Sequence, residues 1–163
     1  MNQRERGFSL LELLIVVAII VTITVVAVPN LLKTRMTGNE TSAMASLKAM
    51  NEACQMYYGN YTSYPHNQSD LGPPQNGPSS KTAADLLDST LAPAGGTVAS
   101  KSGYVFHYVA GAAEPSGNVN TYSIEADPES YGHTGERKFY TDQTAIIRYT
   151  SDGSQPSATS PQM

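Results

Sequence analysis

Residues 8–28 read FSLLELLIVVAIIVTITVVAV, twenty-one consecutive positions with a single charge among them. A helix over them at 1.5 Å per residue spans about 31 Å, one bilayer hydrocarbon core. Residues 1–7, MNQRERG, are short and polar, with Arg4 and Arg6 against Glu5. The positive-inside rule assigns that end to the cytoplasm and sends everything after residue 28 outward. A secretory signal peptide fits poorly, since its apolar core is shorter and ends at a small-residue cleavage site, which Ala27-Val28-Pro29 does not make. A plain membrane anchor fits the hydropathy better. Outside this stretch the chain is polar, so the overall 40% hydrophobic content averages over two solvents. No second long apolar run exists, which argues against a multi-span membrane protein.

Glu12 does not suit a plain anchor. A carboxylate inside the span costs about 2.5–3.5 kcal/mol on insertion scales and usually has a partner. The run contains no Lys, Arg or His. Chemistry can supply the missing cation: cutting between Gly7 and Phe8 creates an α-amino group four residues before Glu12. On a helix, i and i+4 share a face. The new amine can then meet Glu12 in its own chain or in a neighbour.

The segment Gly7-Phe8-Ser9-Leu10-Leu11-Glu12-Leu13-Leu14 resembles the processing and methylation site of type IV pilins and of the secretion pseudopilins. The resemblance implies that a prepilin peptidase cuts after Gly7 and that Phe8 becomes the N-methylated first residue. It makes Phe8 and Glu12 the assembly residues, and it puts Pro29 where such helices bend. It implies an inner-membrane precursor with its N-terminus in the cytoplasm, then an extracellular homo-oligomeric helical filament built by a pilus assembly machinery. The motif covers about residues 1–35 and is shared by major pilins, minor pilins and pseudopilins.

Beyond the span the pattern stays helical but becomes amphipathic: Ala43, Leu47, Met50, Cys54 and Tyr57 recur at spacings of four and three. Asn39, Glu40, Lys48, Asn51 and Glu52 are read as polar neighbours on other faces. One helix from about Phe8 to Tyr58 is expected, 8–28 as the membrane or assembly half and 29–58 as the amphipathic half. Pro29 should kink it, and Gly38 should weaken its middle by about 1 kcal/mol relative to alanine. Residues 59–103 hold most of the turn formers and read as a long loop with a short helix from about Ala83 to Leu91, Thr82 as its N-cap, and Leu86, Leu87 and Leu91 inward.

Within 104–150, four strands are expected: Tyr104–Val109, Tyr122–Ala126, Arg137–Thr141 and Ala145–Tyr149, the last two joined by a hairpin at Asp142-Gln143-Thr144. The fold class is therefore α+β, a long N-terminal helix whose C-terminal half packs on an antiparallel sheet of about four strands. That arrangement resembles a pilin head. Residues 151–163 are rich in Ser, Thr, Pro and Gln and read as a mobile tail.

The other chemistry is thin. Ten basic and fourteen acidic residues give a net charge of −4, without the basic footprint of a nucleic-acid binder. The one cysteine, Cys54, excludes an intrachain disulfide and reads as a buried thiol, against lipidation or an intermolecular bridge. His66, His107 and His133 lack metal-ligand spacing. Glu125, Asp127 and Glu129 read as a solvated strand edge rather than a hydrolytic pair, and Asp127, Glu129, Asp142 and Asp152 lack the dense spacing of a calcium loop. Asn39-Glu40-Thr41, Asn60-Tyr61-Thr62 and Asn67-Gln68-Ser69 match glycosylation triplets. No catalytic, cofactor or metal residue is assigned and no nucleic-acid partner is expected. The reading is a non-enzymatic pilus subunit. The alternatives are a pseudopilin of a type II secretion system and, in a different class, a membrane-anchored periplasmic binding domain.

Overall fold

The computed structural model describes residues 8–163. Residues 1–7, with Arg4, Glu5, Arg6 and Gly7, lie outside the described residues. The chain divides into two units, Met1–Arg35 and Met36–Met163. One helix, α1 (Leu10–Tyr61), contributes to both. Its helical assignment runs through Pro29 and Gly38 without a break.

In the second unit the expected stripe is the buried face of α1. Ala43, Leu47, Met50, Cys54 and Tyr57 are fully buried, with Ala53 beside them. Every third or fourth residue faces inward because 3.6 residues make a turn. The helix ends where Thr62 turns into the left-handed region at φ 55° while its N–H still reaches the Tyr58 carbonyl at 2.8 Å.

Against this face lies a five-stranded antiparallel meander in sequence order: β1 (Ala99–Lys101), β2 (Tyr104–Ala110), β3 (Tyr122–Pro128), β4 (Lys138–Asp142) and β5 (Arg148–Thr150). Inner positions alternate as a pleat requires: Tyr104 and Phe106 on β2; Tyr122, Ile124 and Ala126 on β3; Phe139 and Thr141 on β4. All but Thr141 join the helix stripe in one hydrophobic core. The fold is thus the expected α+β arrangement, with one strand more than expected.

The extra strand, β1, falls in the stretch read as loop. Its three residues lack β-branched side chains, and the signal lies in the turn after it. Ser102 and Gly103 both take positive φ, 52° and 72°, the pair that closes a two-residue hairpin onto β2. A second correction concerns residues 83–91, which form no helix. Asp85 sits at φ 57°, and the Asp88 carboxylate accepts the N–H groups of Thr90 and Leu91, closing a turn rather than a helix. Thr82 therefore caps nothing helical; its hydroxyl lies 3.3 Å from that of Ser80. Leu86 and Leu87 both donate their N–H to the Leu71 carbonyl at 2.9 Å, and their side chains still pack on the core.

The last hairpin is also wider than read. Ala145 takes φ 59° and Thr144 bonds the Asp142 carboxylate, so β5 starts only at Arg148, with Phe139 opposite Tyr149. Residues 151–163, expected as a mobile tail, fold back along β5. Tyr149 donates to the Pro161 carbonyl at 3.0 Å, and Met163 donates to that of Ile147 at 3.1 Å.

Candidate assembly site

The first unit carries the site read from the sequence. From Phe8 to Leu32 the described side chains are exposed, Phe8 at 89% and Leu10 at 81%. This helix is apolar on every side and long enough to cross a membrane. Its two threonine hydroxyls do not oppose that use. Thr22 donates to the Ala18 carbonyl at 2.8 Å and Thr24 to that of Ile20 at 2.7 Å, so both are satisfied within the helix.

Glu12 occupies the first turn. Its carboxylate accepts the Ser9 N–H at 2.9 Å, and the Ser9 hydroxyl accepts the Leu11 N–H at 3.3 Å. The carboxylate thus meets one backbone donor, the Ser9 N–H, that has no intrahelical partner, at the end where the helix dipole favours negative charge. Phe8 lies just before this turn. Gly7, where the sequence reading expects cleavage, falls outside the described residues.

In the second unit, polar side chains of α1 fix the sheet in register, and here the sequence reading is corrected. Glu40 and Asn51, taken as outward polar neighbours, are buried. Glu40 accepts the N–H groups of Glu136 and Arg137 at 3.0 and 3.2 Å and lies 3.8 Å from the Arg137 guanidinium. Asn51 donates to the Thr141 hydroxyl at 2.8 Å and accepts from Tyr122 at 2.9 Å. Asn39 donates to the Thr134 carbonyl at 2.9 Å. Helical periodicity assigns polar residues to the surface, and these partners lie far along the chain, in β3, in β4 and in the loop that leads into β4.

The remaining candidates settle into structural roles. Burial pushes the Cys54 thiol up to about 12, opposed only in part by a hydrogen bond with Tyr122. A thiol so protonated is a poor nucleophile. The phenols of Tyr104, Tyr108 and Tyr122 are raised by burial as well. Their hydroxyls are occupied: Tyr104 donates to the Arg137 carbonyl and Tyr108 to that of Pro65, each at 2.7 Å, and Tyr57 reaches the Lys81 carbonyl at 2.6 Å. Glu125 and Asp127 line the outer face of β3, where both accept from the Gln155 carboxamide and Asp127 lies 3.3 Å from the Lys138 ammonium. Glu129 accepts from the Ser100 hydroxyl. Among the described residues, no group of three or more His, Cys, Asp or Glu side chains is placed to hold a metal ion. His66 and His107 line a cleft of about 300 Å³ beside β2, and His133 is exposed in the loop before β4.

Comparison with known proteins agrees with the N-terminal geometry. Residues 2–28 match the model of the prokaryotic N-terminal methylation motif. The chain is 35% identical over 71 residues to the type IV major pilin protein PilA of Myxococcus xanthus, covering 44% of this chain and 32% of that one. It is 41% identical over 69 residues to the type IV wide pilus major component PilA4 of Thermus thermophilus, 42% of this chain and 53% of that one. It is 31% identical over 72 residues to the type II secretion system core protein G of Dickeya chrysanthemi, 44% of this chain and 47% of that one. The chain therefore spans about a third to a half of the length of these relatives.

Proposed function

We propose that this chain is a structural subunit of a type IV pilus, cut after Gly7, N-methylated on Phe8 and assembled through its N-terminal helix. The observation that carries the reading is the 21-residue apolar segment 8–28, helical from Leu10 and exposed along its described length, whose one charge is Glu12, inside a segment matching the prokaryotic methylation motif. Before assembly that helix rests in the inner membrane with residues 1–7 in the cytoplasm. Assembly moves it from lipid into a bundle of like helices in an extracellular filament. Cohesion comes from packing and from apolar area kept from water, about 25 cal/mol per Å². Glu12 supplies register: leaving its backbone donor for a neighbour's α-amine is favourable only where charge and geometry both match. Pro29 and Gly38 are the positions where the helix bends or loosens as subunits pack. The subunit has no enzymatic role; its partners are the prepilin peptidase, the pilus assembly machinery and further copies of itself.

A second reading, a pseudopilin of a type II secretion system, is favoured by the 31% identity to a core protein G. Gene deletion separates the two. Loss of long surface filaments with protein secretion intact supports the pilus; loss of secretion with filaments intact supports the pseudopilin. A Gly7→Val chain that stays uncleaved yet keeps full function, with no filaments in either form, overturns both.

A further inference from the structure

The outer edge of β5 is covered by residues 160–163 of the same chain. β5 is the last strand of the meander, so one of its sides faces β4 and the other would present unpaired backbone groups. Those groups are taken. The Tyr149 N–H reaches the Pro161 carbonyl at 3.0 Å, the Ile147 carbonyl accepts from Met163 at 3.1 Å, and Arg148 stands opposite Gln162 in an antiparallel bridge. The Arg148 guanidinium also donates to the Ser160 carbonyl at 2.8 Å. Further back, Gln155 ties the segment to the outer sheet face: its carboxamide accepts from Lys138 at 2.6 Å and donates to Glu125 and Asp127 at 2.9 and 3.1 Å. Pro156 beside it is buried. A turn at Asp152-Gly153-Ser154, with Gly153 at φ 80°, sends the chain back.

We propose that residues 155–163 are a guard segment that keeps the β5 edge from pairing with β5 of a second copy of this chain. An open strand edge is a template for another strand. This one is self-complementary: antiparallel pairing centred on Tyr149 places Tyr149 opposite Tyr149 and Arg148 opposite Thr150. No like charges then oppose each other, and an aromatic pair forms at the centre. The guard holds by main-chain bonds at the edge, by the Arg148 guanidinium on the Ser160 carbonyl and by a polar clamp at Gln155, so it covers the edge without a core of its own. The inference does not depend on the filament reading, and its test needs no filament.

The test compares the 163-residue chain with a chain ending at Ser154, both in detergent micelles, by sedimentation equilibrium and by hydrogen exchange at the Tyr149 amide. Association through the membrane helix is common to both and cancels. The shortened chain is expected to self-associate about tenfold more tightly, with its Tyr149 amide still protected at high concentration and exposed on dilution. A peptide of residues 155–163 should reverse the association. Adding Tyr149→Pro to the shortened chain should abolish it, since this N–H points away from β4 and proline is tolerated on an edge. Equal self-association of the two chains, with the shortened chain's Tyr149 amide unprotected throughout, overturns the proposal. Should the shortened chain lose its tyrosine near-ultraviolet signal, the full-length Gln155→Ala/Met163→Pro chain decides. It loosens the guard without removing it, and unchanged self-association there is equally fatal.

Discussion

Asn51, on the amphipathic half of α1, donates to the Thr141 hydroxyl on β4 at 2.8 Å, and both side chains are buried beside the apolar core. The same carboxamide accepts from Tyr122 on β3 at 2.9 Å. One helix residue thus ties two neighbouring strands, and with no disulfide available it is such pins that fix the sheet's register on the helix. A buried polar group left without its partner costs about 1–3 kcal/mol.

Asn51→Ala should therefore destabilise the second unit by about 2–4 kcal/mol, since it strands two hydroxyls and opens a small void. Thr141→Val should cost less, because one bond is lost and the shape is kept. Urea unfolding followed by tyrosine near-ultraviolet circular dichroism measures both. The double variant should cost less than the two single losses combined, because each single change already breaks the shared bond.

Glu40→Ala should destabilise the junction of α1 with the start of β4 by about 1–3 kcal/mol, as the N–H groups of Glu136 and Arg137 lose their acceptor. Glu40→Gln keeps an acceptor oxygen and should retain most of that stability. Amide exchange at 136 and 137 reports the difference locally.

Stability should be level through neutral pH and fall on the alkaline side. Burial raises the Cys54 thiol from 9.0 to about 12, and Tyr57 from 10.0 to about 12. For such groups the folded state favours the proton, so their contribution is present below the unfolded value and is lost as pH rises through the folded one. The decline should begin near pH 9 and continue to about 12. Midpoints of urea unfolding across that range check it. Alkylation of Cys54 at neutral pH should proceed only at the rate of unfolding.

Gly103→Ala should weaken the β1–β2 hairpin by about 1–2 kcal/mol. The position requires φ 72°, and a Cβ there would stand 2.9 Å from that of Thr134. Faster amide exchange in β1, with β3 unchanged, is the expected local signature.

The sequence reading succeeds where one period governs many residues. The stripe from Ala43 to Tyr57 and the alternation in Tyr104–Tyr108 and Tyr122–Ala126 each declare a buried face by themselves. It falls short where a single backbone angle or a distant partner decides. Asp85 and Asp88 turn an apolar, leucine-rich stretch away from helix, Ser102-Gly103 creates a strand from three unremarkable residues, and Gln155 anchors a segment whose composition suggests freedom. Glu40 and Asn51 carry no mark of burial because their partners lie across the fold. The N-terminal site is legible for the opposite reason: Glu12 is conspicuous only by the apolar positions around it.

On the proposed reading, residues 8–28 are an assembly element released by cutting after Gly7. Intact mass measurement of subunits from filaments sheared off the cell surface tests it most directly. The expected result is a chain that starts at N-methylated Phe8. Full-length chain beginning at Met1, confined to the membrane fraction with no filament present, would contradict it.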